Sequence, residues 1–297
     1  SPQDFGIPQH RKRIFIVGSL VGLDHFSFAD VDEQKTQLTE IYDFVETAPK
    51  EFRPLPKANK ECLLLWQKFL NEIPKDTKVP GFPIWAMEFG ANYPYLKSFP
   101  LNLSVEDLGR YKGNFGKSLK VSSKPKQTER LPSYARVKKA FPGWKKSYIS
   151  HNRDFYDDNK KHILNVVKQL SEYESQSWQK LEWNVGNSSR KISDYIIQFR
   201  ASGVRVKKAD FFPSLVCTNT QRPIIAWQNR YITKEEGLRL QALEGLNLPS
   251  NDNAAFKALG NAVNAKIVRI IAEKLLDENL VFNAKNGNNL FVPTTSI

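Results

Sequence analysis

Cysteine, histidine and long apolar runs are all scarce in this sequence. Its 297 residues include two cysteines, Cys62 and Cys217, and four histidines. Two distant cysteines cannot form a disulfide framework, so they indicate a reducing compartment, and none of these residues has the spacing of a metal site. No apolar run approaches the roughly 18 residues of a membrane helix, and residues 1–13 lack the apolar core of a secretory signal. Membrane proteins and disulfide-rich secreted domains are therefore excluded, and we expect no metal.

Positive charge is what the sequence has in excess, and most of it lies in one stretch. The formal charge is +13, and residues 110–148 (the basic segment) carry +11 of it, with Glu129 as their one acid. The bases are Arg110, Lys112, Lys117, Lys120, Lys124, Lys126, Arg130, Arg136, Lys138, Lys139, Lys145 and Lys146. Segregated positive charge with interleaved aromatic residues predicts a polyanion partner, because bases displace counterions condensed on phosphates. A solvated basic loop without a partner is the alternative.

The length predicts about two domains, and hydrophobic periodicity predicts their elements. Residues 14–18, Ile-Phe-Ile-Val-Gly, are typical of a buried strand. Apolar residues at helical spacing predict helices at 61–73, around 160–178, from Thr233, and at about 254–278. Short strands are expected at 195–199, 203–206 and 214–218, with an edge strand at 290–292. Residues 79–108 are expected to be irregular, 122–125 to be the least structured part of the basic segment, and Cys62 to lie in the core.

The first of three motif segments runs directly into the predicted strand 14–18. Residues 6–13 read Gly-Ile-Pro-Gln-His-Arg-Lys-Arg, and Gln9, Arg11 and Arg13 alternate along it. On an extended backbone their side chains share one face. Adjacent donors of this kind suit a phosphate or the edge of a heterocycle, although a polar strand entry would read the same way.

The second and third segments lie near the other end of the chain. Residues 230–241 contain Thr233 followed three residues later by Glu236, a capping box that predicts a helix start at Thr233. Residues 258–263, Ala-Leu-Gly-Asn-Ala-Val, place a Gly-Asn pair at the opening of the last apolar helix, where backbone can approach a ligand closely. Taken alone, the two segments fit a capped helix and a simple turn.

Together and in this order, the three segments resemble the cytosine-5 DNA methyltransferases. Residues 6–18 are similar to that family's motif VIII (Gln-x-Arg-x-Arg before a strand), and 230–241 to motif IX, with Ile232 in place of leucine. Residues 260–263 are similar to motif X, Gly-Asn-Ser/Ala-Val. In the family, the region between motifs VIII and IX is the target recognition domain, which reads DNA sequence; here that region is 19–229 and contains the basic segment.

The resemblance also has gaps. Family members carry a Phe-x-Gly-x-Gly turn for S-adenosylmethionine, a Pro-Cys nucleophile and a Glu-Asn-Val carboxylate. None of the 15 glycines is spaced Gly-x-Gly, no cysteine follows a proline, and Glu-Asn-Val is absent. After motif IX, Ala242-Leu243-Glu244 replaces the usual Gly-Phe-Pro. The family reaction needs the cysteine thiolate to attack a flipped cytosine at carbon 6 and the carboxylate to assist at N3, so that carbon 5 takes the methyl group. This chain alone is therefore expected to be inactive.

The resemblance implies roles for individual residues and partners. Arg13 would help hold the target cytosine, and Gln9 and Arg11 would contact phosphate or brace the catalytic loop. Asn261, Ala262 and Val263 would line the S-adenosylmethionine site. Arg230 and Arg239 would support the recognition domain or touch phosphate, and the basic segment would bind the duplex backbone. The implied partners are duplex DNA and an N-terminal catalytic half of the same enzyme or a complementing subunit, in a bacterial or phage-host cytoplasm.

The implied fold is α/β. Residues 1–18 would supply one strand and a loop of a partial Rossmann-like methyltransferase domain, and 253–278 its returning helix. Residues 19–252 would form a mixed α+β recognition domain, followed by a tail at 279–297. We interpret the chain as the C-terminal half of the enzyme, first as a truncation and otherwise as a split subunit. A non-catalytic sequence-specific DNA-binding protein is the alternative. A transfer-RNA-modifying relative is disfavoured, because its recognition region is much shorter.

Overall fold

The computed structural model describes residues 1–20, 22–24, 26–32, 36–37, 39–216 and 221–276. The chain divides into two compact units. The first unit comprises 1–51, 210–219 and 232–297, and the second comprises 52–209 and 220–231. The first unit includes residues 19–51 and 232–252 together with motif segments VIII and X. Our interpretation of the sequence instead placed these two ranges in the recognition domain. Among the described helices, none combines the length and the apolar character needed to cross a bilayer.

The first unit is built mainly from short helices and one small pair of strands. Strand β1 (Gln9–His10) pairs in parallel with β6 (Phe212–Pro213). The helices are α1 (Phe28–Asp32), α2 (Ile41–Phe44), α7 (Lys234–Gln241), α8 (Asp252–Asn261) and α9 (Ala265–Leu275), with a 3₁₀ turn at Pro2–Asp4. Phe5, Val31, Ile267 and Ile271 form one of its buried apolar clusters.

Two predictions for the first unit are wrong. Residues 14–18 form no strand, and Ile14 and Ile16 are 91% and 93% exposed. A strand needs a neighbour for its ladder of hydrogen bonds, and no described strand lies beside this segment. The predicted helix at 254–278 is two helices, because Asn264 caps α9 by accepting a hydrogen bond from the Ile267 amide. Gly260 and Asn261 therefore end α8 instead of opening the last helix.

The second unit contains a mixed six-stranded sheet in the order β2-β3-β5-β4-β7-β8. These strands are β2 (Ile84–Trp85), β3 (Lys180–Asn184), β4 (Ile196–Arg200), β5 (Gly203–Lys207), β7 (Ile224–Ile225) and β8 (Arg230–Tyr231). Only the β3–β5 pairing is parallel among them. The helices are α3 (Lys57–Glu72), α4 (Val105–Leu108), α5 (Lys124–Glu129) and α6 (Gly143–Leu170). Short 3₁₀ turns lie at Ala86–Glu88, Pro100–Asn102, Asn114–Gly116, Ser133–Ala135, Ile192–Asp194 and Ala226–Gln228.

One face of this sheet carries the main core of the second unit. Alternate residues of β3, β4 and β5 are buried on that face, as the two-residue period of a strand requires: Leu181, Trp183, Ile197, Phe199, Val204 and Val206. They belong to the same buried cluster as Trp66 and Phe69 of α3 and Ile163 and Val166 of α6. Cys62 is fully buried in this cluster, which confirms that prediction.

Most element predictions in the second unit are confirmed, with two corrections. The helix at 61–73 is α3, and the strands at 195–199 and 203–206 are β4 and β5. The helix predicted around 160–178 corresponds to the second half of α6. This helix begins earlier, at Gly143, because its buried stripe continues through the polar Asn152 and Asn159, and it ends at Leu170, so 171–178 are not helical. In 122–125, helix α5 already begins at Lys124.

Further predictions fall partly or wholly outside the described residues. No strand forms at 214–216, and the neighbouring strand is Phe212–Pro213 instead. Positions 217–218, with Cys217, lie outside the described residues, and so does the predicted edge strand at 290–292. At the level of class, the chain is mixed α/β with a mixed sheet, which is compatible with a methyltransferase.

Candidate functional site

Arg11 joins two of the three motif segments in the first unit. Its side chain is 3% exposed, and its guanidinium donates to the carbonyl oxygens of Gly260 and Ala262, each at 2.7 Å. A further bond of 3.1 Å reaches the Leu215 carbonyl. Because the carbonyls at a helix C-terminus carry partial negative charge, the end of α8 is a favourable partner for a buried cation. Arg11 therefore ties motif segment VIII to segment X.

Motif segment IX meets the other two at neighbouring positions. The side-chain amide of Gln241 donates to Oε1 of Gln9 over 3.2 Å, and both residues are fully buried. Asn264, which follows segment X, donates from Nδ2 to the Leu240 carbonyl at 3.1 Å. A methyl group added at Gly237 of α7 would lie 2.7 Å from the Leu259 side chain in α8, so glycine permits this close approach. We call this convergence of the three segments the motif junction.

Helix α7 begins where its capping box predicted. The Thr233 hydroxyl accepts from the Glu236 amide at 3.0 Å, and the Glu236 carboxylate accepts from the Thr233 amide at 2.8 Å. The other carboxylate oxygen of Glu236 accepts from the Glu46 amide at 3.0 Å. The Arg239 guanidinium lies over the Phe44 ring at 4.8 Å and 3.4 Å from the Glu46 carboxylate. Segment IX is thus fixed to residues 44–46 of the same unit.

The remaining predicted residues of the motif segments differ in exposure. Arg13 is exposed, and its guanidinium donates to the Lys12 carbonyl at 2.8 Å. Asn261 is exposed and Val263 is 42% exposed, in the short connector between α8 and α9. A shallow recess beside them is lined by Arg11, Arg13, Phe15, Val263, Asn264 and Ile267, with Ser1 and Pro2.

Arg230 lies in the second unit and is 2% exposed. Its Nε donates to Gln228 at 2.6 Å, and Nη1 donates to the Tyr231 carbonyl at 3.0 Å. The guanidinium therefore contacts the strand it belongs to, and the geometry favours the supporting role over a phosphate contact for this residue.

The basic segment lies on the second unit and divides into engaged arginines and exposed lysines. Arg110 is 3.6 Å from Asp107, Arg130 donates to the Ser118 carbonyl at 2.6 Å, and Arg136 donates to the carbonyls of Leu131 and Glu129. Six lysines are exposed: Lys112, Lys117, Lys120, Lys126, Lys138 and Lys139. None of these six forms an ion pair within the described part of the chain. Their charge faces solvent, as a surface for a polyanion requires.

Three further lysines of the basic segment are half-buried. Lys124 donates to the carbonyls of Leu103 and Pro100, and burial lowers its pKa from 10.5. Lys145 lies over the rings of Tyr134, Phe141 and Trp144, at 5.7, 5.6 and 5.5 Å from their centres. Burial and the neighbouring charge of Lys139 lower the pKa of Lys145. Lys146 is the third.

Sequence reasoning missed several residues that build these surfaces. Gln241 and Asn264 hold the motif junction, and the one available signal was the Asn-Ala-Lys-Ile start of α9, which fits a helix cap. Glu88 and Arg153 form a buried ion pair of 2.9 Å beside the basic segment. Lys180, in β3, approaches the aromatic residues of that segment. Neither the ion pair nor Lys180 has a local sequence signal, because their partners are distant in the chain.

Comparison with known proteins agrees with the family that the three motif segments resemble. The family model described as C-5 cytosine-specific DNA methylase matches residues 2–277. The Type II methyltransferase M.AluI of Cellulosimicrobium cellulans is 31% identical over 140 residues. That alignment covers 46% of this chain and 26% of the relative, so it spans about a quarter of the relative's length. No solved structure gave a significant match. Since the family model covers nearly all of the sequence, the chain belongs to the C-5 cytosine-specific DNA methylase family.

Proposed function

We propose that this chain is the DNA-recognition part of a cytosine-5 DNA methyltransferase, which works with a catalytic part that carries the cysteine nucleophile. The observation that carries the proposal is the motif junction, in which Arg11 binds the carbonyls of Gly260 and Ala262 while Gln9 binds Gln241. The three segments occur along the chain in the order of motifs VIII, IX and X, and the fold brings them together at the junction. Hydrogen bonds between residues more than 200 positions apart form only when the three segments are folded in one defined arrangement.

Within this proposal the exposed lysines of the basic segment contact the phosphates of duplex DNA. Lysines in this role set affinity and register, whereas a smaller set of side chains reads the bases. Arg110, Arg130 and Arg136 are partly engaged with their own unit, so they orient the surface more than they neutralise phosphate. Arg239 holds α7 in place through Phe44 and Glu46.

The proposed roles at the junction divide by exposure. The terminal nitrogens of Arg11 donate to three backbone carbonyls, so Arg11 braces the junction, whereas the exposed Arg13 is placed to reach the target cytosine. The exposed Asn261 amide and the apolar Val263 side chain fit one edge of an S-adenosylmethionine site, with Ala262 supplying backbone between them. The cofactor, when bound, supplies the methyl group. The sequence has no Gly-x-Gly turn, so the catalytic part is expected to provide the rest of that site.

Two measurements test the proposal. Purified chain mixed with labelled S-adenosylmethionine and a cytosine-containing duplex should transfer no methyl group, because no positioned nucleophile is present. The same chain should bind the duplex, with an affinity that falls by about 0.9 log unit per log unit of salt for each phosphate contact. Clear turnover by the chain alone would contradict the incomplete-enzyme proposal, and a salt-insensitive affinity would contradict the phosphate contacts.

Complementation separates this proposal from the alternative, a non-catalytic DNA-binding protein. The chain is mixed with a polypeptide that carries the Phe-x-Gly-x-Gly, Pro-Cys and Glu-Asn-Val motifs, and methyl transfer is measured. Restored transfer supports the divided enzyme. Duplex binding without any restored transfer supports the non-catalytic binder.

A further inference from the structure

Two lysines from distant parts of the second unit converge on one aromatic ring. Lys145 Nζ lies 5.7 Å from the centre of the Tyr134 ring, and Lys180 Nζ lies 5.3 Å from the same centre. Lys145 belongs to the first turn of α6, and Lys180 begins β3. Lys180 is outside the basic segment, so nothing in the charge pattern of the sequence pointed to it.

The Tyr134 ring, which both lysines approach, is held in place by its neighbours. The Tyr134 hydroxyl donates to Glu88 over 2.6 Å, and Trp85 packs on Tyr134 with ring centres 4.4 Å apart. Tyr148 meets Trp85 edge-on at 5.5 Å, and Trp144 meets Tyr148 at 5.7 Å. Lys180 also lies 5.8 Å from the Trp85 ring centre. Four aromatic rings therefore form a frame that fixes where the two ammonium groups can lie.

No acid in the described part of the chain pairs with either lysine. Glu88 already binds Arg153, with an Nε–Oε2 distance of 3.0 Å, and Glu182 binds Arg205 at 2.6 Å. Burial lowers the pKa of both lysines, and the charge of Lys145 lowers that of Lys180 further, whereas Glu182 opposes the shift. The two cations repel each other and the nearby acids are paired with other residues. A bound anion would therefore stabilise both ammonium groups.

Packing against the rings compensates only partly for burying the two lysines. Cation–π contacts stabilise each ammonium group but supply no negative charge. A lysine in the first turn of a helix also opposes the helix dipole, so the place of Lys145 is unfavourable in that respect. A partly buried cation without a paired anion carries a desolvation cost that a bound anion would offset.

We propose that Lys145 and Lys180 grip one phosphate group of duplex DNA, on the frame of Trp85, Tyr134, Tyr148 and Trp144. This inference rests on the proposed function and names a specific contact within it. Ammonium groups bind phosphate oxygens through charge-assisted hydrogen bonds, and the aromatic frame places both groups before the DNA arrives. The two lysines act as a unit, unlike the six exposed lysines of the basic segment.

The test compares matched single variants of the full chain in duplex binding at constant salt. Lys145→Gln and Lys180→Gln should each weaken binding about tenfold, since each removes a preorganised charge-assisted contact. Lys126→Gln removes the same charge from an exposed lysine of the same segment that does not perturb Lys145 or Lys180, and should weaken binding about twofold. Thermal unfolding of each variant shows whether the fold is retained.

The double variant Lys145→Gln/Lys180→Gln gives the sharper result. Two residues that hold one phosphate are coupled, so the double variant should bind little more weakly than either single variant. Lys145→Gln/Lys126→Gln should instead lose the product of its two single effects, because the two lysines are independent. Equal losses in all three single variants, or full additivity in the Lys145/Lys180 pair, would overturn the shared phosphate site and leave the proposed DNA-binding function standing.

Inorganic pyrophosphate separates this site from DNA binding in general. Calorimetric titration of the full chain at low salt should show binding that Lys145→Gln and Lys180→Gln abolish and Lys126→Gln retains. If pyrophosphate binds in this way but the duplex does not bind at all, the anion site stands and the proposed function fails. If neither pyrophosphate nor duplex distinguishes these variants from Lys126→Gln, the inference is wrong.

Discussion

Among the residues that the structure describes, two glutamates are fully buried, one in each unit, and their carboxylates are paired in different ways. Glu236, in the first unit, accepts hydrogen bonds from the backbone amides of Thr233 and Glu46. Glu88, in the second unit, is paired with Arg153 and accepts hydrogen bonds from the hydroxyls of Tyr93 and Tyr134. One carboxylate is thus held by backbone dipoles at a helix start, and the other by a side-chain network.

The difference shows which kind of buried charge can be recognised from the sequence. The capping box of Glu236 is a local pattern, because Thr233 stands three residues away. The partners of Glu88 are 5, 46 and 65 residues away along the chain. A network of that kind has no spacing rule, so it emerges only from the fold. The two carboxylates should also respond differently to substitution and to pH.

Removing the ionic partner of Glu88 should have the largest effect. Arg153→Met leaves a buried carboxylate without its cation and should lower the free energy of unfolding by about 3–5 kcal/mol. Urea denaturation measures it. Glu88→Gln/Arg153→Met removes both charges and should recover at least about 2 kcal/mol of that loss. A single variant as stable as the parent would show that the ion pair does not hold the second unit together.

Removing Glu236 should cost less. Glu236→Ala leaves the buried amides of Thr233 and Glu46 without their acceptors and should lower the free energy of unfolding by about 2–3 kcal/mol. Glu235→Ala is the matched control, because Glu235 is exposed on the same turn and its loss should stay within about 0.5 kcal/mol. If Glu236→Ala proved as costly as Arg153→Met, backbone dipoles and an arginine would be equivalent partners for a buried carboxylate.

The same distinction between local and distant signals decides how much of the fold could be predicted. Helix α3, strands β4 and β5 and the start of α7 follow from periodicity and capping, which are local. The segment 14–18 has the composition of a buried strand, yet it forms no strand and exposes Ile14 and Ile16, because strand formation depends on a neighbour and not on composition alone. We expect the proposed catalytic part to pair with this segment.

The candidate site shows the same limit. Gln9, Arg11 and the Gly260 region were identified from motif order, but their mutual hydrogen bonds were not, since they join residues more than 200 positions apart. The basic segment was located by counting charge. The fold decides which of its lysines are exposed. It also brings Lys180 close to Lys145, because β3 and α6 pack around Tyr134. Charge patterns locate a surface, whereas the fold selects the residues within it.

Alkaline pH should weaken the Glu88 network and leave Glu236 unaffected. Burial, with the Glu88 charge, raises the pKa of Tyr93 well above its ordinary value of 10.0. The folded state therefore keeps a proton that unfolded tyrosine loses near pH 10, so stability present below pH 10 falls as the pH rises. The loss should approach about 1.4 kcal/mol per pH unit for this group.

Urea denaturation between pH 9 and 11 measures the slope, and Tyr93→Phe should make it shallower without abolishing it, because burial also raises the pKa values of Tyr134 and Cys62. Glu236→Gln should leave the slope of the parent unchanged, because backbone amides do not titrate in this range. An unaltered slope in Tyr93→Phe would show that the phenol does not hold its proton through the Glu88 network.

The smallest expected change in the free energy of unfolding comes from removing the Thr233 cap, the local pattern from which Glu236 could be recognised in the sequence. Thr233→Ala removes the hydroxyl that accepts from the Glu236 amide and should lower the free energy of unfolding by about 1 kcal/mol. Thr233→Ser keeps the hydroxyl and should stay close to the parent, so the pair isolates the hydrogen bond from the loss of packing. Because the Glu236 carboxylate still accepts from the amides of residues 233 and 46, the cap should fail only in part. If Thr233→Ala lost as much free energy of unfolding as Glu236→Ala, the hydroxyl and the carboxylate would act as one unit. The capping box as a whole, and not the buried charge alone, would then fix the start of α7.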